Sequence, residues 1–334
     1  MTRTSAPGKG LAIMVNANAK RGGRRIAVQI GEVLPGAVVR VTKSVDEVSG
    51  WLESLRDVDA IFLAGGDGTA VTLLTALDQV IAKDAPLPAV GVLPLGTGNA
   101  WAHSLGARTL DACVRALARH EGPLPTRKIR VFVADGRLTF FAGCGWDAEI
   151  LDDYRIQLEQ SPSRRLAKNL WGFLTAILLR TAPKSLVRDR PNVRIENLAS
   201  DVLTLDANGT PVAIAGAGRG AILYDGPASV AGCATCPELG YRFRAYPHAE
   251  RVLGRMNIRV YDQVPLRALR DVPRLWHGQH PLEGMHDWFS THVRMTFSRP
   301  IPLQIGGEAV GAHRTIEYMM SPREVRAVDF RRLL

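Results

Sequence analysis

The fold is decided by the stretch from residue 60 to residue 105, which reads AIFLAGGDGTAVTLLTAL over 60–77 and AVGVLPLGTGNAWAHSL over 89–105. Two apolar, β-prone runs, Ile61–Ala64 and Val90–Leu93, each end in a turn rich in Gly and Thr. Each turn leads into a segment with helical composition. The pattern predicts two successive strand–turn–helix units whose turns meet at one edge of an open α/β sheet, where such sheets bind ligands.

The first turn has the chemistry of a phosphate site. Gly65, Gly66 and Gly68 permit backbone angles that a side chain would forbid and let a ligand approach the main chain. The unpaired amides at the start of the following helix attract a phosphate. Because Asp67 would repel that phosphate unless a cation lay between them, we expect Asp67 to face Mg²⁺ or a hydroxyl that loses its proton.

The second turn repeats this design. Gly96, Thr97, Gly98 and Asn99 again combine flexible backbone with a hydroxyl and an amide for ligand oxygens or a base. One Gly-rich turn by itself predicts only a tight turn. Two of them at successive strand ends predict one shared ligand crevice.

GGDGT followed by PLGTGN resembles the catalytic domain of the diacylglycerol kinase family, lipid kinases related to sphingosine kinases and more remotely to NAD kinases and phosphofructokinases. The resemblance implies an α/β N-terminal lobe, Rossmann-like and of the phosphofructokinase and NAD kinase type. It also implies a second, mostly β, sandwich-like domain. ATP would bind the two loops with Mg²⁺, and the hydroxyl of a lipid would be phosphorylated.

The resemblance extends the expected nucleotide site to residues outside the two loops. Asn16 stands where the family has an Asn-Pro-x-x-Gly turn, although Ala17 replaces the proline, and Thr42 ends a predicted strand. The predicted nucleotide contacts are Asn16, Thr42, Gly65, Gly66, Asp67, Gly68, Thr69, Gly96, Thr97, Gly98 and Asn99. The predicted catalytic residues are Asp67, also the Mg²⁺ contact, and Glu308, the expected proton acceptor.

Three positions depart from the family pattern. Thr72 stands where a Glu usually follows GGDGT, Ala100 replaces the Asp after the second loop, and Gly306 replaces the Asp of the late Asp-Gly-Glu motif. A general base contributes typically 10²- to 10⁴-fold, whereas phosphoryl transfer depends mostly on positioning and charge neutralisation. We therefore expect an active lipid kinase. A silent nucleotide- or lipid-binding module is the alternative, and an NAD kinase-like enzyme is a third reading.

The predicted domain limits follow from a linker and a change to strand-like sequence patterns after it. A linker at 121–125 predicts a nucleotide-binding domain over 1–125, a β-rich lipid-binding domain over 126–312, and C-terminal strands over 313–334 that return to the first domain. The Asp135-Gly136 pair predicts a hairpin between Ile129–Val133 and Leu138–Ala142. The residues 145–148, GWDA, match the family's Gly-Phe-Asp-Ala. Further strands are predicted at Val202–Leu205, Val212–Ala215, Tyr241–Tyr246, Ile258–Tyr261 and Val293–Phe297.

The net charge and one amphipathic segment indicate what kind of partner the protein binds. Lys and Arg number 42 against 32 Asp and Glu, a net charge of +10, which favours an anionic partner, membrane surface or nucleic acid. The lipid kinase resemblance favours the membrane and no nucleic acid. The segment Ser163–Lys184 has one apolar face between basic ends and is too short to span a bilayer. It fits either a membrane-contacting helix or an ordinary core helix.

The cysteines, the N-terminal apolar run and the histidines indicate the cellular compartment and whether a structural metal site is expected. Four cysteines do not form a disulfide framework for 334 residues, and the Cys233–Cys236 CxxC lacks a second pair for structural zinc. The apolar run Leu11–Val15 is too short for a signal peptide. We expect a cytoplasmic protein, peripheral at the inner membrane face, and a homodimer is compatible with the sequence. The histidines His277, His280, His286 and His292 match no familiar zinc spacing.

Overall fold

The computed structural model describes residues 6–17, 23–96, 98–161, 172, 175–181, 183–184, 189–240, 242–279 and 282–334. The chain divides into two compact units. Unit 1 comprises Met1–Arg130 with Pro322–Leu334, and unit 2 comprises Val131–Ser321. Each unit has its own sheet.

Unit 1 is an α/β unit around a six-stranded sheet. Its strands are β1 (Leu11–Asn16), β2 (Val38–Thr42), β3 (Ala60–Gly65), β4 (Ala89–Pro94), β5 (Thr126–Ile129) and β18 (Val325–Val328). Its helices are α1 (Gly23–Val33), α2 (Val45–Ser54), α3 (Asp67–Val80), α4 (Ala100–Ser104) and α5 (Leu110–Arg119). The strand order is β2-β1-β3-β4-β18-β5, and the first four strands are parallel. The predicted strand–turn–helix units are thus β3–α3 and β4–α4.

Local sequence explains where these elements begin and lie. The central strand β3 is buried over its whole length, as expected for a strand covered on both faces. Helix α2 begins after Ser44, whose hydroxyl accepts the Glu47 N–H at 3.4 Å, while the Glu47 carboxylate accepts the Lys43 N–H at 2.8 Å. Ser44 and Glu47 thus form a capping box at the start of α2.

The C-terminal segment of the chain belongs to unit 1. Strand β18 pairs in parallel with β4 and antiparallel with β5. Phe330, in the short 3-10 helix Phe330–Arg332, packs edge-on against Phe62 with ring centroids 6.3 Å apart. The unit boundaries fall after 130 and 321 rather than at the predicted 125 and 312. Strand β5 pairs within the first sheet, and the long hairpin that ends at Met320 belongs to the second.

Unit 2 is mostly antiparallel β-structure. Its strands are β6 (Phe132–Ala134), β7 (Arg137–Thr139), β8 (Phe141–Gly145), β9 (Asn192–Asn197), β10 (Leu203–Leu205), β11 (Pro211–Ala213), β12 (Ile222–Pro227), β13 (Val230–Ala234), β14 (Met256–Tyr261), β15 (Met285–Ser290), β16 (His292–Ile305) and β17 (Glu308–Met320). Two α-helices, α6 (Trp146–Gln160) and α7 (Pro265–Trp276), and a π-helix, Ile177–Thr181, accompany them. The strands join in one hydrogen-bonded sheet of twelve, because the long β16 pairs with β9 near its start and with β8 near its end.

Two strand predictions in unit 2 change in detail. The Asp135-Gly136 turn is present, with φ of 48° and 71°, and it joins β6 to β7. Both predicted strands are divided, the first between β5 of unit 1 and β6, and the second between β7 and β8. The strand predicted at 241–246 is wrong over its described part. There the chain forms a loop, in which the Phe243 N–H bonds to the Gly240 carbonyl and the Tyr246 N–H to the Pro237 carbonyl.

Some predictions concern residues outside the described ones. They are Thr97, His280, Tyr241 and most of the amphipathic segment at 163–184. Among the described residues, no helix has both the length and the apolar character needed to cross a membrane.

Candidate functional site

The first loop of unit 1 leaves the end of β3 and enters α3. Gly66 is the N-cap of α3, and no side chain caps the helix there. A Cβ on Gly65 would lie 2.8 Å from the Thr69 hydroxyl, so glycine lets the first turn of the helix fold back against the strand end. A 14-residue helix therefore begins with main-chain N–H groups at the carboxyl edge of the sheet.

The second loop packs directly against the first. The N–H groups of Leu95 and Gly96 both donate to the Gly65 carbonyl, at 3.2 and 3.0 Å. A Cβ on Gly96 would lie only 2.3 Å from the Gly66 Cα, so this approach requires glycine at 96. The expectation that the two turns meet at one edge therefore agrees with the geometry.

Asn99 holds the second loop in shape. Its backbone is left-handed, with φ 54° and ψ 35°. Its side chain closes a small ring with Gly96, whose N–H donates to Asn99 Oδ1 at 3.0 Å and whose carbonyl accepts from Asn99 Nδ2 at 2.9 Å. The side-chain amide expected to reach a ligand is thus used at least partly to hold the loop.

Asp67 joins the two loops. Its Oδ2 accepts the Ala100 N–H and its Oδ1 accepts the Trp101 N–H, both at 3.0 Å. These are the first amides of α4, so the carboxylate caps that helix and lies at the positive end of its dipole. Ala100, which replaces the family's Asp, contributes its amide to this contact. The loop carboxylate predicted to face Mg²⁺ or a hydroxyl has a structural partner that the sequence did not indicate.

Asn16 and Thr42 lie at the neighbouring strand ends. Asn16 Nδ2 donates to the Thr69 hydroxyl at 2.9 Å, which connects the end of β1 to the first turn of α3. Thr42 is buried at the end of β2, and its carbonyl accepts the Ala17 N–H at 2.9 Å. Gly68 is buried within α3, and Gly98 is partly exposed in the second loop. The described members of the predicted nucleotide set thus come together in one unit.

The described residues offer no ready-made metal site, since no three His, Cys, Asp or Glu side chains among them come together as ligands. His286 bonds to Asp262 at 2.8 Å and His292 to Glu317 at 3.4 Å. The cysteines 233 and 236 are both buried, and Cys236 Sγ donates to the Glu238 carbonyl.

Unit 2 contains an apolar pocket. Its cavity volume is about 210 Å³. Helices α6 and α7, strand β14 and the loop before it supply most of its wall. The lining residues are Phe141, Trp146, Asp147, Ile150, Leu151, Val230, Leu239, Gly240, Phe243, Ala245, Tyr246, Arg259, Tyr261, Val272, Leu275, Trp276, Met285, Gln304 and Gly307. A pocket of this composition fits hydrocarbon chains.

Asp147 brings a carboxylate into this apolar pocket. The residue lies in the first turn of α6, and its side chain folds back over β8, where a Cβ on Gly143 would lie 2.2 Å from Asp147 Oδ2. Oδ2 accepts from Gln304 Nε2 at 3.1 Å, whereas Oδ1 is buried without a hydrogen-bond partner in the described structure. Burial raises the pKa of Asp147 to about 6, although the hydrogen bond from Gln304 opposes the rise.

Two further polar residues of the pocket are paired with protein atoms. Arg259 forms an ion pair with Asp287, whose Oδ2 lies 2.7 Å from Arg259 Nη2, and also donates to the Ala245 carbonyl. The Tyr261 hydroxyl donates to Asp271 at 3.1 Å. The Asp147 carboxylate lies in the wall of this pocket, and its Oδ1 is buried from solvent.

Glu308, the predicted proton acceptor, is exposed at the start of β17. It follows Gly306 and Gly307, which have φ of 57° and 81°. Gly307 lines the pocket. The position where the family has an Asp is thus a left-handed turn that favours glycine.

Sequence reasoning matched the GWDA motif but did not select Asp147. The available signal was the spacing of Gly143, Gly145 and Asp147 in GCGWDA. Gly145 has φ 96°, and a Cβ there would lie 2.3 Å from the Ser229 carbonyl oxygen. Glycine at 143 thus makes room for the Asp147 carboxylate, and glycine at 145 lets the chain turn against Ser229.

Comparisons with known proteins agree with this picture. Residues 11–126 match the model of the diacylglycerol kinase catalytic domain. The chain is 54% identical over 46 residues to the eye-specific diacylglycerol kinase of Drosophila melanogaster, a match covering 14% of this chain and 3% of that protein. It is 40% identical over 70 residues to the "Probable lipid kinase YegS" of Salmonella arizonae, covering 20% of this chain and 23% of that protein.

Solved structures show the fold over the whole chain. A crystal structure of a candidate diacylglycerol kinase from Bacillus anthracis superposes with a TM-score of 0.70 at 15% identity, covering 100% of this chain and 99% of that one. This likeness supports an α/β lobe followed by a mostly antiparallel β domain, as predicted. The match of residues 11–126 to the diacylglycerol kinase catalytic domain confirms the resemblance to this family that the two loops indicated.

Proposed function

We propose that this protein is an ATP-dependent lipid kinase that phosphorylates the hydroxyl of diacylglycerol or a related lipid. The observation that carries the proposal is the pocket of unit 2, which is apolar except for a few paired polar groups and the buried Oδ1 of Asp147. Its walls suit hydrocarbon chains, and the Asp147 carboxylate among them suits a hydroxyl donor.

The paired loops of unit 1 support ATP as the phosphoryl donor. The α3 N-terminus presents main-chain N–H groups, and Gly66 and Gly96 bring the two loops into close contact. Such a surface suits phosphate oxygens. The match to a kinase catalytic domain covers this unit.

Mg²⁺ enters this proposal with ATP, as the counter-ion of its phosphates. The loops are better suited to contact a metal ion that arrives with ATP than to hold a permanently bound one. They offer the single carboxylate of Asp67, whose two oxygens already accept main-chain N–H groups. Mg²⁺ commonly binds through one or two carboxylates together with substrate phosphates and water. A carboxylate oxygen can accept more than one contact, so Asp67 retains the capacity to approach the ion.

The proposed reaction transfers the γ-phosphoryl group to the lipid. The hydroxyl oxygen forms a bond to the γ-phosphorus, the bond to the β,γ-bridging oxygen breaks, and ADP leaves. Asp147 accepts the hydrogen bond of the lipid hydroxyl and takes its proton. A carboxylate with pKa raised to about 6 is ionised at neutral pH and suits a general base better than one of ordinary pKa. Glu308, exposed and next to the pocket-lining Gly307, is the competing acceptor.

A silent nucleotide- or lipid-binding module is the competing function, and Gly306 is the observation that favours it. A carboxylate is absent where the family has one, and the backbone at Gly306 has φ 57°. Gly306→Asp separates the two functions, because Asp tolerates this left-handed conformation at a cost of about 1 kcal/mol. In a kinase that uses Asp147, the substitution adds little. Lipid phosphorylation that arises only in Gly306→Asp would establish the binding module instead.

We also propose that the protein works at an anionic membrane surface, on the strength of its +10 net charge and the basic ends of the segment at 163–184. A basic residue near such a surface contributes about 1 kcal/mol. Co-sedimentation with anionic vesicles that weakens as salt rises would support this proposal.

The test of the kinase proposal is transfer of labelled phosphate from ATP to a panel of lipids in mixed micelles, with NAD⁺ as a further acceptor. Leu275→Glu places a charge in the pocket wall and should raise KM for the lipid at least tenfold with little change in KM for ATP. Arg274→Glu, on the exposed side of the same helix, is the matched control. Transfer to NAD⁺ alone, or equal effects of the two variants, would contradict the proposal.

A further inference from the structure

Gln304 connects two parts of the candidate site that are far apart in sequence. It lies near the end of β16 and is 2% exposed. Its Nε2 donates to Asp147 Oδ2 at 3.1 Å, and its Oε1 accepts the Gly307 N–H at 2.9 Å. In the sheet it pairs with Gly143 on one side and Ala309 on the other. One buried amide thus touches the carboxylate in the pocket and the turn before Glu308.

The orientation of this amide is determined by its neighbours. The Gly307 N–H can only donate, so the oxygen of the Gln304 amide must face it. The nitrogen then faces Asp147, whose ionised carboxylate can only accept. Because Gly143 has no Cβ, the Asp147 carboxylate reaches this nitrogen across β8. The contact fixes Oδ2 and with it the orientation of the carboxylate.

We propose that Gln304 is a positioning residue, whose amide sets both the orientation of the Asp147 carboxylate and the turn from which Glu308 follows. This assignment rests on the proposed function, in which Asp147 receives the lipid hydroxyl. Gln304 acts through Asp147 and needs no contact with the substrate.

The amide also favours the ionised form of Asp147. It stabilises the carboxylate against the burial that raises its pKa, and the main-chain N–H groups of 147 and 148 act in the same sense. Glu149, on the same helix, raises the pKa by repulsion. Of the other groups near the pocket, Arg259 is paired with Asp287.

The thiol of Cys144 and the hydroxyl of Tyr246 stay neutral in this range, because burial raises the pKa of each far above neutrality. Loss of the Gln304 hydrogen bond therefore changes the titration of Asp147 itself. A hydrogen bond to an ionised group corresponds to about one pKa unit or more.

Two substitutions separate the roles of the amide. Gln304→Met keeps the length of the side chain and removes both hydrogen bonds. Gln304→Glu keeps an acceptor for the Gly307 N–H but replaces the donor to Asp147 with a second carboxyl. The measurement is the titration of the Asp147 side-chain carboxyl by ¹³C NMR, with the resonance assigned through Asp147→Asn.

Asn257→Leu is the matched control. Asn257 is also a fully buried amide in the same sheet, and its Nδ2 donates to a carboxylate, Asp287 Oδ1, at 2.9 Å. Its loss removes a buried amide–carboxylate contact without touching Asp147.

The expected result is that both Gln304 variants raise the pKa of Asp147 by about one unit or more. Asn257→Leu should leave it unchanged. The acidic pKa in the pH profile of kcat/KM should rise by the same amount. Because less of the base is then ionised, the rate near pH 6 should fall about fivefold. If Gln304→Met does not fold, Gln304→Glu decides the matter.

An unchanged titration in the Gln304 variants, or an equal shift in Asn257→Leu, would overturn the inference. The titration needs neither ATP nor lipid, so its failure is distinguishable from failure of the proposed function. A shifted titration in a protein that phosphorylates no lipid would retain the link between Gln304 and Asp147 and remove the kinase.

Discussion

The loop pair of unit 1 and the pocket of unit 2 are built in opposite ways. The loop pair of unit 1 consists largely of main chain, brought together by glycines at 65, 66 and 96. The pocket of unit 2 consists of side chains from helices, strands and a loop, around one carboxylate. Phosphate groups are alike in all nucleotides and can be held by backbone N–H groups. A lipid is recognised by shape and by a single hydroxyl, which requires side chains.

Substitutions in the two units should therefore have different effects. A change in unit 1 should act through the shape of the loops, and so affect stability and nucleotide affinity together. A change in unit 2 should act through the chemistry of one group, and so affect turnover or lipid affinity without loosening the fold.

The largest effect is expected for Asp147→Asn. The amide cannot take a proton, so turnover should fall by about 10²- to 10⁴-fold while ATP affinity stays constant. Asp152→Asn, at a partly exposed position on the same helix paired with Arg155, is the control and should keep its activity. Steady-state kinetics with ATP and lipid varied separately provide the check. A loss of less than tenfold would remove Asp147 from the mechanism.

The same variant tests the electrostatic account of Asp147. Its folded-state pKa of about 6 lies above the ordinary 3.8, so the unfolded chain releases the proton first as pH rises. The stability of the wild-type protein should therefore fall between about pH 4 and pH 6, by up to about 3 kcal/mol. Asp147→Asn should lack this decline and be the more stable protein at pH 8. Urea unfolding at pH 5 and pH 8 measures both, and parallel pH dependence in the two proteins would refute the raised pKa.

The next largest effect is expected for Gly96→Ala. The added Cβ would lie 2.3 Å from the Gly66 Cα, so one loop must move. Stability should fall by about 1–3 kcal/mol, and nucleotide affinity should fall with it. Gly50→Ala, in α2 with open space around the new methyl group, is the control and should stabilise the protein by about 0.5–1 kcal/mol. Normal nucleotide affinity in Gly96→Ala would show that the close loop approach is dispensable.

The contrast between the units also explains what the sequence could predict. The strand–turn–helix pattern and the glycines of the loops are local, so residues 60–105 were enough to predict that the two loops meet at one edge of the sheet. Asp147 and Gln304 lie 157 residues apart and meet only through the pairing of β16 with β8. No local pattern records such a contact. The loop at 242–246 has the alternation of a strand, but its backbone is held by turns and its side chains line the pocket.

Asp67→Asn should have a moderate effect. Asparagine keeps one acceptor for the α4 amides but turns an NH₂ group toward the other N–H, which should cost about 1–2 kcal/mol. Melting temperature and ATP affinity should both decrease. Asp46→Asn, exposed in the first turn of α2, is the control. Collapse of turnover with an unchanged melting temperature would instead favour the sequence-based expectation that Asp67 faces Mg²⁺ or the hydroxyl.

The smallest effect is expected for Glu308→Gln. Glu308 is exposed, so its loss should lower turnover less than tenfold if Asp147 takes the proton. Comparison with Asp147→Asn under identical conditions decides between the two carboxylates. The reverse order, with Glu308→Gln the more damaging, would restore Glu308 as the proton acceptor.

The most direct test of the account is to locate the bound lipid. A diacylglycerol carrying a photoactivatable diazirine in its acyl chain, added in mixed micelles, can be crosslinked and its attachment sites mapped by mass spectrometry. The account predicts labelled peptides that contain Ile150, Phe243 and Leu275, with labelling reduced by unmodified lipid and by Leu275→Glu. Labelling confined to unit 1, or undiminished by competing lipid, would contradict the assignment of this pocket to the lipid substrate.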